Sequence, residues 1–122
     1  MAGTEQKSRL RWAADVSMVM IAIAIVFLTL LHAPSGPSRG PEWADKAYHA
    51  IAFFVLVVPG ALVHRWAFLW LIPTATVFGA AIEIAQPYFG RSREIEDLYA
   101  DIAGILAGII VGTLIRLWRT PL

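Results

Sequence analysis

Apolar residues are concentrated in four long runs, separated by short polar segments. A bilayer core roughly 30 Å thick requires about 20 mostly apolar residues in a helix. Each run has about that length, so the pattern predicts an all-α fold, an integral membrane four-helix bundle. The four runs extend from about Trp12 to Leu31, Ala47 to Val63, Trp66 to Gln86 and Leu98 to Trp118.

Proline and glycine mark the predicted boundaries between the runs. The segment HAPSGPSRGPEWADK follows the first run and is too rich in Pro, Gly and Ser to continue a helix. Pro59-Gly60 and His64-Arg65 indicate a tight turn between the second and third helices. Pro87 is expected to end the third span, because the residue before a proline avoids helical geometry.

The first run also resembles a signal peptide, since KSRLRW precedes it. A signal h-region is about 7–15 residues long and ends at a small-residue cleavage site. This run is longer, and Leu31-His32-Ala33 is a poor cleavage site, so we expect a retained anchor. The predicted organisation is a cytoplasmic tail over residues 1–11, a four-span domain over 12–118 and a C-terminal tail over 119–122.

Basic residues set the predicted orientation. With four spans, one side of the membrane receives Lys7, Arg9, Arg11, Arg65, Arg116 and Arg119, and the other receives Arg39, Lys46, Arg91 and Arg93. The positive-inside rule then places both termini in the cytoplasm.

Composition agrees with a membrane protein. Hydrophobic residues make up 58% of the chain and charged residues 16%, whereas soluble domains average about 25% charged residues. The bilayer is therefore the first predicted partner. The net charge of +1 argues against a nucleic acid partner, because domains that bind nucleic acid usually carry a basic face. The chain has no cysteine, which excludes disulfides and thiolate metal sites.

Polar residues from three separate segments are predicted to meet at the outer surface. Residues three or four apart share a helix face, and this spacing relates Asp45 to His49, Glu83 to Gln86 and Asp97 to Asp101. In the predicted topology these faces lie at one depth. The candidate pocket consists of Asp45, Lys46, His49, Glu83, Gln86, Arg91, Asp97 and Asp101.

Glycines continue the same helix faces. The stripe through Asp97 and Asp101 extends to Gly104, Gly108 and Gly112, and Gly79 stands four residues before Glu83. Small residues at this spacing let helix backbones approach closely in lipid. The carboxylates are therefore expected on packing faces, because a charged Asp at a helix centre costs at least about 2.5–3.5 kcal/mol in the bilayer.

The segments DKAYHAIAFFVL, EIAQPYFGR and DLYADIAGILAG resemble the VanZ-like family of small membrane proteins, named for a member linked to teicoplanin resistance. The resemblance covers residues 45–112 and rests on four motif pieces in order. It implies a plasma (inner) membrane protein of the cell envelope, without specifying a reaction. The family usually has Asn at the position of Asp101. The matching positions are Asp45, Lys46 and His49, then Glu83 and Gln86, then Gly90 and Arg91, then Asp97, Gly104 and Gly108.

Three functions are compatible with these residues. In the first, Arg91, Lys46 and His49 hold the anionic head group of a lipid-linked or envelope substrate, and Glu83 or Asp97 acts as a general base. In the second, the polar residues are structural, Arg91 pairs with Glu83 or Asp97, and the protein is an assembly module that binds another membrane protein. The catalytic residues are unassigned.

The third function is a cation site, formed by His49 with nearby carboxylates. No metal-binding motif such as HExxH occurs, and Lys46 and Arg91 would repel a cation. The sequence therefore predicts neither a metal nor a cofactor.

Overall fold

The structure, a computed structural model, describes residues 1–31 and 42–119. The rest of the predicted first loop, including His32 and Arg39, lies outside the described residues, as do residues 120–122 of the predicted C-terminal tail. The described ranges form α1 (Ala2–Val26), a π-helical turn (Phe27–Leu31), α2 (Glu42–Val63), α3 (Ala67–Ala85), a 3-10 turn (Gln86–Phe89) and α4 (Ile95–Arg119).

The predicted all-α four-helix bundle is confirmed. Each of the four helices is long and apolar enough to cross a membrane, so the chain is a multi-pass membrane protein. The first helix begins at Ala2, and the residues assigned to an N-terminal tail therefore continue the helix of the first span.

The prediction that Pro59-Gly60 marks a turn is wrong. Both residues lie inside α2, and the chain turns only after Val63. Gly60 is instead a packing position, since a Cβ built there would lie 2.8 Å from Leu71 Cδ2 and 2.8 Å from Met18 Sδ. A proline is tolerated inside a membrane helix, because neighbouring helices can satisfy the backbone groups that it leaves without a hydrogen bond. The prediction for Pro87 holds only for the α-helical part, which ends at Ala85. Gln86, the residue before the proline, keeps helical backbone angles, and a 3-10 turn carries the span through Pro87 to Phe89.

Helix α4 packs most extensively against α2, and the predicted glycine stripe lies in this interface. A Cβ at Gly104 would overlap the carbonyl oxygen of Ala50 and lie 2.9 Å from its carbonyl carbon. A Cβ at Gly108 would lie 2.8 Å from the carbonyl oxygen of Phe54. The backbones of the two helices therefore approach so closely that only glycine fits, as the small-residue spacing predicted.

An apolar core occupies the middle of the bundle. Phe53, Val57 and Ile105 are almost completely buried, and Phe53 packs against Phe78 with ring centroids 5.8 Å apart. The hydrogen-bonded pair of His64 and Asp15 lies at one end of this core. The larger group of polar residues lies at the other end.

Candidate functional site

The first turns of α2 and α4 are joined by an ion pair. Lys46 Nζ donates a hydrogen bond to Asp97 Oδ1 at 2.6 Å and also contacts the carboxylate of Glu94. Asp97 is buried, with 2% of its surface exposed. Glu94 stands three residues before Asp97, so both carboxylates face α2 and share one lysine.

His49 lies between two carboxylates of α4. Its Nδ1 is 2.8 Å from Asp101 Oδ1, and its Nε2 is 3.6 Å from Asp97 Oδ2. The four-residue spacing of Asp97 and Asp101 places both on the side of α4 that faces the imidazole. Asp101 is fully buried at 0% exposure, which confines this contact to the interior of the bundle.

One oxygen of Asp101 is left without a partner. Its Oδ1 contacts His49, but its Oδ2 is buried and has no hydrogen-bond partner among residues 1–31 and 42–119. Oδ2 lies on the side of α3, because a Cβ built on Gly79 would be 2.8 Å from it. Buried polar atoms are nearly always satisfied, so this oxygen is an acceptor that the described residues leave unused.

The end of α3 contributes Glu83, and the 3-10 turn that follows contributes Gln86, three residues later; both side chains are buried. With its amide nitrogen assigned to face Glu83, Gln86 donates to both carboxylate oxygens at 3.3 and 3.2 Å. The backbone N–H of Glu94 donates to Glu83 Oε2 at 3.2 Å. Glu83 is thus held by the turn that follows its helix and by the residue just before α4.

Arg91 lies at the edge of this group and contacts other residues than predicted. It donates to the carbonyl oxygen of Thr29 at 2.9 Å and lies 3.7 Å from Asp45 Oδ1. The predicted pairing with Glu83 or Asp97 is therefore wrong. Thr29 belongs to the π-helical turn, and π-helical turns are frequent at functional sites. Arg91 ties the end of the first span to the start of the second.

The structure thus brings seven of the eight predicted residues close together, with Asp45 at the edge, where one of its oxygens lies within 4.8 Å of His49 and Asp97. Arg91 lies outside this group and reaches it through Asp45. We refer to the other six as the polar cluster, which consists of Lys46, His49, Glu83, Gln86, Asp97 and Asp101.

Sequence reasoning missed three residues that contact the cluster or its edge. The spacing of Glu94 from Asp97 was a usable signal. The contact of Thr29 with Arg91 spans 62 residues and leaves no local pattern. Arg93 donates to the carbonyl oxygens of Glu83 and Ile84, each at 3.3 Å, which a sequence cannot reveal because main-chain acceptors occur everywhere.

A groove of about 560 Å³ opens beside the cluster, between α3 and the start of α4. Glu83 lies both in this groove and in the polar cluster, and the exposed Arg93 forms part of the groove wall. The groove therefore connects the surface of the bundle to a buried carboxylate. The other lining residues are Ala80, Ile84, Glu94, Ile95, Glu96 and Leu98.

Two groups of side chains have donor sets suited to a metal ion. His49, Glu83 and Asp101 form one group, and His49, Asp45 and Asp97 form the other. In each group one ligand atom per residue lies within 4.8 Å of the others. Imidazole nitrogen with carboxylate oxygens is a donor set that suits zinc and harder divalent ions.

Comparisons of the chain with protein-family profiles, with curated proteins and with solved structures found no match. The site combines buried groups of opposite charge, an adjoining groove and, among the described residues, an unsatisfied oxygen on Asp101.

Proposed function

We propose that the chain is a VanZ-like protein of the cell envelope that binds a lipid-linked or other envelope substrate beside its polar cluster. The resemblance of residues 45–112 motivates the family. The proposal is supported by the proximity of the motif residues, since Lys46, His49, Glu83 and Asp97 lie at one end of the bundle. We place that end at the outer surface of the plasma membrane.

A cationic side chain can hold an anionic head group when nearby carboxylates do not already neutralise its charge. Lys46 contacts the carboxylates of Glu94 and Asp97, and His49 lies between those of Asp97 and Asp101. Arg93 is exposed, and its hydrogen bonds within the described ranges go to main-chain carbonyls, which do not neutralise its charge. A planar guanidinium binds phosphate and carboxylate well, so Arg93 is the first contact for a head group in the groove.

Glu83 lies where a bound head group and a proton-accepting side chain can meet. Its carboxylate lines the groove and is also buried within the polar cluster. A general base must lie within hydrogen-bond reach of the proton that it removes, and a head group seated against Arg93 is beside Glu83. This shared position is the observation that carries the proposal, and it identifies Glu83 as the base if the substrate is modified.

Lipid analysis of the purified protein tests the substrate site. We expect Arg93→Ala to reduce co-purified anionic lipid about tenfold, because a hydrogen bond to a charged group contributes about 1.5–3 kcal/mol and about 1.4 kcal/mol corresponds to a factor of ten. The measurement is mass spectrometry of lipid extracted from detergent-purified protein. Arg65→Ala is the matched control, since Arg65 is an exposed arginine in the turn at the other end of the bundle. Equal lipid content in both variants would remove the support for this site.

The proposed orientation has a direct test, because the chain contains no cysteine. Tyr88 and Trp118 are exposed at 84% and 96% and lie at opposite ends of the bundle. With the termini in the cytoplasm, a membrane-impermeant maleimide added to intact cells should label Tyr88→Cys and leave Trp118→Cys unlabelled. The reverse pattern would place the polar cluster at the cytoplasmic face.

A second function is supported by the pairing inside the cluster. Lys46 and His49 of α2 contact Asp97 and Asp101 of α4, and Glu83 of α3 accepts from the backbone just before α4. These contacts cross-link three helices. In this alternative the cluster is a polar lock that stabilises the bundle, and the protein acts by assembling with another membrane protein. The two functions predict different losses in the free energy of unfolding when one buried pair is broken. The unfolding of Asp101 variants measures this loss.

A further inference from the structure

We propose that His49, Glu83 and Asp101 form a binding site for a divalent cation with the ligand preferences of zinc. The site lies within the polar cluster, but it does not depend on the proposed substrate or on Arg93. Each of the three residues comes from a different helix, α2, α3 and α4 respectively. A bound cation would therefore join the helices around the centre of the cluster.

The donor geometry is close to that of a metal site. One ligand atom from each of His49, Glu83 and Asp101 lies within 4.8 Å of the others, and all three residues are buried. Zinc–ligand bonds of about 2.0–2.2 Å place neighbouring ligand atoms roughly 3–4 Å apart. Side-chain movements of about an ångström would close the site, without rearrangement of the helices.

The unsatisfied oxygen of Asp101 is the independent observation that points to a ligand. Asp101 is 0% exposed, and its Oδ2 has no hydrogen-bond partner in the described part of the chain. Leaving a buried charged acceptor unsatisfied costs more than the roughly 1–3 kcal/mol of a neutral group. Oδ2 faces α3, the helix that carries Glu83, and it lies close to Gly79, since a Cβ at that position would be 2.8 Å away.

The charges around the site are arranged for a divalent cation. Two carboxylates and a neutral imidazole carry a charge of −2, which a divalent ion balances. The basic residues that argued against a metal in the sequence are engaged elsewhere, Lys46 with Asp97 and Arg91 with Asp45. Their positive charges are therefore compensated locally by carboxylates that the site does not use.

The competing group of Asp45, His49 and Asp97 is less suitable. Asp97 already accepts a hydrogen bond from Lys46 at 2.6 Å, so a cation there would have to displace an ammonium group. Asp97 Oδ2 lies 3.6 Å from Nε2 of His49, beyond hydrogen-bond distance.

Metal analysis of the full chain tests the site. Protein purified in detergent is stripped with a chelator, dialysed against zinc and analysed by inductively coupled plasma mass spectrometry. We expect stoichiometric zinc in the wild type, and an affinity weakened by more than about tenfold in Asp101→Asn, since even supporting residues change affinity by about 10–100-fold. Asp15→Asn is the matched control, because Asp15 also hydrogen-bonds a histidine but lies at the other end of the core.

Cobalt provides a second readout that does not depend on the variants. Cobalt bound to the wild type should give the visible absorption bands of a site with nitrogen and oxygen ligands, and His49→Asn should abolish them. Wild-type protein that binds neither zinc nor cobalt, or Asp101→Asn that binds zinc as tightly as the wild type, would overturn the proposal. Lipid analysis of the same preparations keeps the two proposals apart, since loss of zinc with lipid retained affects only the cation site.

Discussion

Gly104→Val is expected to separate α2 from α4 and to destabilise the bundle by about 3 kcal/mol, the upper part of the range for overpacked cores. A Cβ at position 104 would overlap the carbonyl oxygen of Ala50 and lie 3.0 Å from its Cα. These are backbone atoms, so no side-chain rotation can relieve the overlap. The measurement is unfolding in mixed micelles with a rising fraction of SDS, followed by loss of helicity.

Ala103→Val is the control for Gly104→Val. It introduces the same side chain one residue earlier, on an exposed position of α4. Because that position does not face α2, we expect its stability to differ from the wild type by less than about 0.5 kcal/mol. Similar losses in both variants would mean that the larger side chain harms α4 itself, and that close approach to α2 is not the cause.

Asp101→Leu should have the second large effect, a loss of about 3 kcal/mol or more if the cluster is a polar lock. The substitution leaves the buried His49 without its 2.8 Å partner, and removing one member of a buried pair costs about 3–5 kcal/mol. An ordinary hydrogen bond between membrane helices contributes only about 0.6 kcal/mol. The two magnitudes are far enough apart for SDS unfolding to distinguish them.

Asp101→Asn is the shape-matched control for Asp101→Leu. Asn has nearly the same shape, it retains a hydrogen-bonding group for His49, and it is the residue that the resembled family usually has at this position. We expect a loss below about 1 kcal/mol, measured for all three proteins after chelation so that no bound cation contributes. A loss near 0.6 kcal/mol in Asp101→Leu would contradict the polar lock and favour a role in binding.

The fold and the main members of the cluster were accessible from the sequence for simple physical reasons. Four runs of bilayer length leave few alternatives to four helices. Helical spacing then related Asp97 to Asp101 and Glu83 to Gln86. The positions of Gly104 and Gly108 indicated which face of α4 packs closely, and the structure places the carboxylates on that same face.

The parts that the sequence did not reveal depend on contacts between distant segments. Pro59-Gly60 has the composition of a turn, yet both residues lie inside α2, where Gly60 packs against the side chains of Met18 and Leu71. The partner of Arg91 was wrongly predicted because a carboxylate close in sequence competes with a main-chain oxygen 62 residues away. Local patterns indicate which residues are buried, but the choice among possible partners is made by tertiary geometry.

The origin of the cluster in three helices has a consequence for biosynthesis. Lys46 and His49 enter the membrane with α2, before the ribosome has made Asp97 and Asp101. Until α4 arrives, these groups have no carboxylate from that helix. Their location near the start of α2 keeps them close to the aqueous boundary in the meantime, where an unpaired polar group costs less than at the bilayer centre. The nascent chain can thus pass from the translocon into lipid helix by helix, and the charges become buried together only when the last helix docks.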